Sequence, residues 1–293
     1  MKNTKNPIFD EYDDIFFKFI ERLTGYPEMT AWARVFIDSL PEQPRSLLSI
    51  GAGNGHYDES LLEYIMPTLD YWALEPNPVF FEALTKRSAA WKASGTHIFS
   101  GYFDDTVELS KEFEREFDFV LMTHCVYFMS SPAKALERAR GFLSRGGHVL
   151  VHHQCESALS EIFMAFSRQN GWIPGVGRQD HGMTIETISE NLKKTGIRHF
   201  VAQRPAVVFV DEFFANKTDT ESREVVIAML KFFLDVDVTN WPKERLEEAT
   251  DFIKARSSRN PASNRYEFPH PEGFLVIPHP ENGFIPSDMQ LVE

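Results

Sequence analysis

The chain has 293 residues, of which 43% are hydrophobic and 25% charged, a composition typical of a globular protein rather than a disordered or fibrous one. Its formal net charge of −13 argues against a nucleic-acid partner, because such proteins usually present a basic patch. Two cysteines, an N-terminus unlike a signal peptide and no apolar run of about 20 residues predict a cytoplasmic protein without a membrane segment.

The first 45 residues are predicted to form two helices. Apolar residues recur at helical spacing from Ile8 to Leu23, and the sequence Gly25-Tyr26-Pro27 interrupts this pattern. The prolines of residues 41–44 separate the helices from the first apolar strand. We therefore expect residues 1–45 to be an N-terminal helical cap.

A glycine-rich turn follows the first predicted strand. The strand Ser46–Ile50 ends in the sequence Gly51-Ala52-Gly53-Asn54-Gly55, and a second apolar strand, Tyr71–Leu74, leads into Glu75. The separation of Gly55 and Glu75, about 20 residues, is that of a β-α-β unit with a carboxylate beside a bound ribose. The pattern predicts a nucleoside-cofactor site made by Gly51, Gly53, Gly55 and Glu75.

The details of this turn indicate which nucleoside is bound. Dinucleotide sites usually read G-x-G-x-x-G, whereas the third glycine here comes one residue earlier. The following helix begins with Asp58 and Glu59, which oppose a bound diphosphate but are compatible with a cationic cofactor that has no phosphate. On these residues the sequence resembles the class I methyltransferases, whose cofactor is S-adenosylmethionine.

Helices and strands alternate through the middle of the chain. The predicted elements are a helix from Pro78 to Ala90, a strand near His97 to Ser100, a helix from Glu108 to Glu116, a strand from Phe117 to Thr123, a helix from Pro132 to Leu143 and a strand from His148 to His152. This order predicts an α/β fold with a doubly wound, mostly parallel, Rossmann-like sheet. Because Asp104 and Asp105 follow the third strand and Thr123 ends the fourth, we predict that they contact the cofactor.

The second half of the chain is less regular. Its predicted elements are helices from Ser157 to Gln169, Thr184 to Lys194, Glu221 to Leu234 and Pro242 to Arg256, a strand-like stretch from Arg198 to Val210, and a last strand from Gly273 to Ile277. We expect residues 46–210 to form the cofactor-binding core and residues 211–265 a helical insertion that caps the substrate. Residues 266–293 are expected to add a late antiparallel strand and a tail.

Four stretches of the sequence resemble the histamine N-methyltransferase family. They are the glycine turn with Asp58 and Leu61-Leu62 behind it, Glu75-Pro76, the segment Met122 to Phe128, and Phe274 to Ile277. The resemblance implies methyl transfer from S-adenosylmethionine to a nitrogen of a small amine or imidazole-like metabolite. We expect a small-molecule substrate, no nucleic-acid or membrane partner, and a monomer or weak homodimer.

The resemblance also places substrate residues, and there the chain departs from the family. The glutamate that meets the substrate amine falls on Asp14, a glutamine of the fourth strand on His124, and an asparagine before the last strand on His270. Histidines in place of amides would change the hydrogen bonding and the pH response of the site. We predict catalytic roles for these three residues. The predicted aromatic walls of the substrate pocket are Tyr12, Phe16, Tyr127 and Phe128.

Several alternatives stay open at this point. If Asp14 has no role in the site, it is an exposed acidic residue on a helix, and His270, between two prolines, is in that case a loop residue. A second possible function is methylation of the oxygen of a phenol or carboxylate, with His124 as base. A third is a protein that binds the cofactor without turnover. No metal site is predicted, because strand alternation puts His152 and His153 on opposite faces.

Overall fold

The computed structural model describes residues 7–63, 65–104, 109, 111–166, 182–215, 220–281 and 290–292. The strands of these residues form two sheets. In chain order the strands are β1 (Ser46–Ile50), β2 (Asp70–Glu75), β3 (Gly95–Ser100), β4 (Phe117–Thr123), β5 (Leu143–Gln154), β6 (His199–Arg204), β7 (Val207–Phe209), β8 (Ser258–Arg259), β9 (Tyr266–Pro269), β10 (Glu272–Pro278) and β11 (Gln290–Val292).

The helices follow the same order. They are α1 (Pro7–Ile20), α2 (Gly25–Ser39), α3 (His56–Leu62), α4 (Pro78–Ser88), α5 (Pro132–Arg140), α6 (Ala158–Phe166), α7 (Ile185–Lys194), α8 (Asp211–Phe214), α9 (Thr220–Leu234) and α10 (Lys243–Arg256). Among the described residues, no helix combines the length and the apolar character that crossing a bilayer requires.

The chain divides into two units whose segments alternate along the sequence. Residues 26–154, 185–204 and 272–293 form one, called the sheet unit below, and residues 1–25, 155–184 and 205–271 form the other, called the helical unit. The two predicted N-terminal helices are present, but α1 belongs to the helical unit and nearly all of α2 to the sheet unit. The domain boundaries expected at residues 45, 210 and 265 stay predictions.

The sheet unit is built on eight strands in the order β11-β6-β10-β5-β4-β1-β2-β3. Every pair of neighbouring strands among β1 to β5 is parallel, whereas β10 is antiparallel to both β5 and β6. This confirms the predicted α/β fold with a doubly wound, mostly parallel sheet and a late antiparallel strand.

Apolar strands and one amphipathic helix make the core of the sheet unit. All five residues of β1 are buried, as expected for a parallel strand covered on both faces. Trp32 of α2 stacks on Phe274 of β10 with ring centroids 4.1 Å apart, and Phe36 of the same helix packs against Phe119 of β4. Helix α2 therefore covers the centre of the sheet with its aromatic face.

The helical unit packs α1 against α9 and holds the three-stranded sheet β7-β9-β8. Phe19 of α1 stacks on Phe232 of α9 at 4.2 Å, and Arg22 pairs with Glu212 of α8 at 2.6 Å. Strand β8 lies in the predicted helical insertion, and β9 lies between this insertion and the predicted last strand at Gly273, where no strand was expected. Short strands of two and four residues give too little alternation to be recognised in a sequence.

Most predicted bounds agree with the structure, and the exceptions have physical reasons. Strands β1 and β4 have the predicted bounds, and the strand-like stretch at 198–210 splits at Pro205 into β6 and β7. Gly25 begins α2 instead of ending a helix. Strand β5 starts at Leu143 and runs to Gln154, well beyond the predicted limits, because pairing with β4 and β10 extends it at both ends.

Asp118 holds together the amino ends of three strands. Its Oδ2 accepts hydrogen bonds from the backbone N–H groups of Arg45 and Ser46 at 2.9 and 3.1 Å, and its Oδ1 accepts one from the Ser144 hydroxyl at 2.8 Å. A single carboxylate on β4 thus accepts hydrogen bonds from the backbone at the start of β1 and from a side chain of β5.

We expect Asp118→Ala to lower the free energy of unfolding by about 1–3 kcal/mol, since two backbone donors lose their acceptor. Asp118→Asn, which keeps an acceptor oxygen, is the matched control and should lose less. Urea unfolding measures both. Because Asp118 lies at the amino ends of the strands, the affinity for a cofactor at the carboxyl ends should change in neither variant, and a large change would contradict this separation.

Candidate active site

The glycine turn lies where the strand order of the sheet reverses. It follows β1, which pairs with β2 on one side and with β4 on the other. Ligands of doubly wound sheets bind outside the carboxyl ends of the strands at such a point. Gly51, Gly53 and Gly55 have φ angles of 66°, 59° and 75°, a backbone region that favours glycine.

The three glycines differ in what surrounds them. A Cβ added to Gly51 would lie 2.6 Å from the Cβ of Cys125, and one added to Gly55 would lie 2.5 Å from Cδ1 of Leu84. A Cβ added to Gly53 would meet nothing within 4 Å. Close packing within the protein therefore requires Gly51 and Gly55, whereas Gly53 leaves its backbone open to a ligand.

Glu75 ends β2 beside this open position. It is 4% exposed; its Oε2 accepts a hydrogen bond from the Gly53 N–H at 2.7 Å, and its Oε1 accepts one from the Asn77 N–H at 2.7 Å. Burial, with a smaller effect from the charge of Asp58, raises the pKa of Glu75 to about 7. Each carboxylate oxygen has a second lone pair, so the group still accepts hydrogen bonds from two ribose hydroxyls.

The acidic start of α3 has a different role from the one that the sequence suggested. Asp58 is 1% exposed and accepts a 2.6 Å hydrogen bond from the Tyr71 hydroxyl, and burial raises its pKa to about 6. Glu59 pairs with Arg87 at 2.6 Å and accepts a hydrogen bond from the Trp91 indole. Both carboxylates thus bind other side chains of the protein, so they do not by themselves indicate a cationic cofactor.

The remaining predicted cofactor contacts lie on neighbouring loops. Oδ2 of Asp104 accepts hydrogen bonds from the N–H and the hydroxyl of Ser130, at 3.2 and 2.7 Å, which ties the loop after β3 to the segment after β4. Thr123 ends β4 and is half-buried. Asp105 lies outside the described residues. The cofactor roles of these three residues stay predictions.

His124 follows β4 in an uncommon backbone conformation. Its φ of 46° places a residue with a side chain in the left-handed region, which is typical of constrained functional positions. Its N–H donates to the carbonyl of His152 at 2.9 Å, and its Nε2 lies 3.3 Å from Oε2 of Glu272. The predicted catalytic histidine therefore lies beside a carboxylate that the sequence analysis did not consider.

Glu272 and His152 complete a cluster with His124. Nε2 of His152 lies 3.2 Å from the same Oε2, and neither residue is exposed to solvent. The His152 ring lies 5.4 Å from Tyr57 and 5.1 Å from Phe274, nearly parallel to both rings. Sequence reasoning missed Glu272 because it began the last strand at Gly273. The signal was present, since a glutamate directly precedes an apolar run.

Two buried tyrosines report the electrostatic environment of this cluster. Burial raises the pKa of the Tyr26 and Tyr57 hydroxyls far above the ordinary value, and the charges of Glu272 and Asp58 raise them further. Burial, with a smaller contribution from these charges, therefore opposes the formation of a phenolate at either hydroxyl.

The predicted aromatic pair after His124 forms a short 3₁₀ turn, Val126–Phe128. Tyr127 is buried, with its ring 5.1 Å from that of His153, and Phe128 is 42% exposed with its ring 4.7 Å from Tyr127. Both follow His124 directly in sequence, and their role as walls of a substrate pocket stays a prediction.

The other predicted substrate residues belong to the helical unit. Asp14 has a 64% exposed side chain and pairs with Lys18. Phe16 packs against Phe232 at 6.3 Å, and the buried ring of His270 lies edge-on to Phe19 at 5.7 Å. The side chain of Tyr12 lies outside the described part of the structure. The predicted roles of these four residues stay predictions.

The chain belongs to a family of methyltransferase domains, because the model of that family matches residues 27–197, more than half of the sequence. These residues contain the glycine turn, Glu75 and His124, and methyltransferases of this kind use S-adenosylmethionine. The open backbone at Gly53 and the remaining acceptor capacity of Glu75 fit this cofactor.

The chain is also similar to one much longer protein and to two solved structures. A highly reducing polyketide synthase, acrA, from Aspergillus aculeatus is 27% identical over 68% of this chain, which spans only 8% of the length of that relative. The YcgJ protein of Bacillus subtilis and a putative methyltransferase of Bacillus halodurans each have 12% identity and a TM-score of 0.53. Each alignment covers 86% of this chain and 98% of the other, and at this identity the likeness concerns the fold alone.

We expect Gly53→Ala to weaken S-adenosylmethionine binding, because its methyl group enters the open space over the turn. The matched control is Gly196→Ala, since Gly196 has a φ of 70° and equally open surroundings after α7. Both variants should lose about 1–2 kcal/mol of stability through backbone strain. Isothermal calorimetry should show weaker binding for Gly53→Ala alone, and equal affinities would indicate that the cofactor does not approach Gly53.

Proposed function

We propose that the protein transfers the methyl group of S-adenosylmethionine to a nitrogen of a small amine or imidazole-like metabolite. The observation that carries the proposal is the position of His124 directly after the carboxyl end of β4. Strand β4 is the neighbour of β1, and β1 ends in the glycine turn. An acceptor must present a free lone pair there, and His124 orients the acceptor or takes its proton. Asp14 and His270 are proposed to assist, as the family resemblance implies.

The bound cofactor supplies an activated methyl group, because its sulfonium leaves as a neutral thioether. The protein then has to position the two reactants and keep water away. We propose that all three glycines of the turn serve the cofactor: Gly53 lets the backbone approach it, and Gly51 and Gly55 allow the close packing that holds the turn in place. Glu75 is proposed to accept hydrogen bonds from the ribose of the cofactor. Asp104 and Thr123 are proposed as further contacts.

The choice of nitrogen over oxygen is supported by the buried acidic groups near Tyr26 and Tyr57. Ionised Glu272 and Asp58, which add to the effect of burial on the pKa of these hydroxyls, would also raise the pKa of a phenolic acceptor and repel a carboxylate. A cationic amine would be attracted, and after it loses a proton it presents the lone pair that the reaction requires. The same charges favour the sulfonium of the cofactor.

The affinity for S-adenosylmethionine should depend on pH through Glu75. Hydroxyl donors favour the ionised carboxylate, so binding releases a proton when Glu75 is neutral. Since the pKa of Glu75 is raised to about 7, affinity should be constant above that value and fall by up to about tenfold for each pH unit below it. Calorimetry at several pH values measures this slope.

Two variants test the assignment of that slope. Glu75→Gln should bind weakly and without this pH dependence. Asp58→Asn is the control, because the pKa of Asp58 is raised to about 6 but its hydroxyl partner is Tyr71. It should keep the slope, with the onset at a somewhat lower pH, because the charge of Asp58 contributes to the raised pKa of Glu75. A slope that persists in Glu75→Gln would exclude Glu75 as the ribose acceptor.

His124→Gln restores the amide of the related family and should lower kcat by about 100-fold or more while the cofactor affinity stays within about twofold. His97→Gln, at an exposed histidine of β3, should leave both unchanged. The assay follows S-adenosylhomocysteine with a panel of amines, imidazoles, phenols and carboxylates. Equal losses of turnover and cofactor binding in His124→Gln would point to a structural role.

The acceptor panel decides among the three functions. Turnover with nitrogen acceptors is the expected result. Turnover with phenols or carboxylates alone would replace the proposal by O-methylation. Cofactor binding without any product would favour a binding protein that keeps the methyltransferase fold.

A further inference from the structure

Three potential metal ligands converge at one edge of the sheet: His124 directly after β4, His152 near the end of β5 and Glu272 at the start of β10. One ligand atom from each of His124, His152 and Glu272 lies within 4.8 Å of the other two. We infer that these side chains bind a divalent transition-metal ion such as Zn²⁺ or Co²⁺. Two imidazoles and one carboxylate are a ligand set that such ions accept.

The spacing of the ligand atoms suits an ion at their centre. With metal–ligand bonds of about 2.0–2.1 Å, two atoms bound at tetrahedral positions lie about 3.3 Å apart. Oε2 of Glu272 lies 3.3 Å from Nε2 of His124 and 3.2 Å from Nε2 of His152. Two of the three ligand pairs thus have the separation that a tetrahedral ion requires, and the third pair, between the two imidazoles, lies within 4.8 Å.

The bonding of His124 also leaves room for a metal ion. Its Nε2 is buried and makes no hydrogen bond with any described residue, and it lies 3.3 Å from Oε2 of Glu272. In the neutral tautomer with the proton on Nδ1, Nε2 has a lone pair that can bind an ion.

Charge gives a second reason. Glu272 is fully buried, and nearby positive charge stabilises an ionised carboxylate at such a position. A divalent ion bound by two neutral imidazoles supplies that charge. A protonated His124 or His152 would supply it as well, and the experiment below separates the two cases.

The fold holds the three ligands in place before any ion binds. They come from the adjacent strands β4, β5 and β10, and the antiparallel direction of β10 brings its first residue opposite Gln154 at the end of β5. The His152 ring is packed between Tyr57 and Phe274. His124, whose side chain is 16% exposed, marks the open side, where three protein ligands leave a fourth position for water or an acceptor.

The metal inference departs from the sequence prediction of no metal site. That prediction considered the histidines of one strand, whereas the cluster takes one histidine from each of two strands. Metal binding itself does not depend on the proposed function, but the effect of a bound ion on the role of His124 in the reaction does. With an ion bound, His124 would orient the acceptor through the ion instead of taking its proton.

Cobalt titration of the full chain tests the inference. After dialysis against EDTA, the protein should bind one Co²⁺ with the visible absorption bands of a low-coordinate site, and Zn²⁺ should displace it. His124→Gln, His152→Gln and Glu272→Gln should each weaken binding by about 100-fold or more. His148→Gln is the matched control, because His148 is buried on the same strand as His152 but packs against Phe36, and it should bind as the wild type does.

Three results would overturn the inference: no stoichiometric Co²⁺ in the folded wild type, wild-type affinity in the three ligand variants, or an equal loss in His148→Gln. The first result decides the question even if a variant fails to fold, which circular dichroism and S-adenosylmethionine binding would reveal. Methyl transfer that persists after metal removal, with no cobalt bound, would refute only the metal site. Stoichiometric cobalt without any methylated product would refute only the proposed function.

Discussion

The pairing of β1 with both β2 and β4 is the constraint on which the rest of the site depends. Because these strands are parallel, the turn after β1, Glu75 after β2 and His124 after β4 all emerge at one edge of the sheet. The hydrogen bond from the Gly53 N–H to Glu75 then joins two of these ends directly. A shift of one residue in the pairing of β1 with β2 would separate the turn from its carboxylate.

Buried acidic groups are the second organising feature of the sheet unit. Asp58, Glu75 and Glu272 are all nearly inaccessible to solvent. The charges of Asp58 and Glu272 add to burial in raising the pKa of Tyr26 and Tyr57, and the charge of Glu75 adds to burial in raising that of Tyr71. Such groups are costly to ionise, so the site gains from a positively charged ligand. A sulfonium cofactor, a cationic acceptor and a bound metal ion are three ways to supply positive charge at this edge.

Some residues of the candidate site could be predicted from the sequence, and others could not. The glycine turn and Glu75 were recognisable because their spacing within one β-α-β unit is local. His124 was recognisable because it follows a long apolar strand. The cluster that surrounds it was not, since His152 was considered only with its neighbours on β5, and Glu272 lies 120 residues further along the chain than His152. No local pattern states that β10 will pair with β5.

The sequence by itself therefore determined the class of fold, the strand ends that carry the cofactor site and the family of methyltransferase domains to which the chain belongs. Alternation of strand and helix and a short motif encode these features, and both are local. Only the tertiary structure decided which buried groups meet beside His124, what Asp58 and Glu59 bind, and to which unit α1 and α2 belong. Those contacts join residues far apart in the chain, and their partners are selected by packing and by the direction in which β10 enters the sheet.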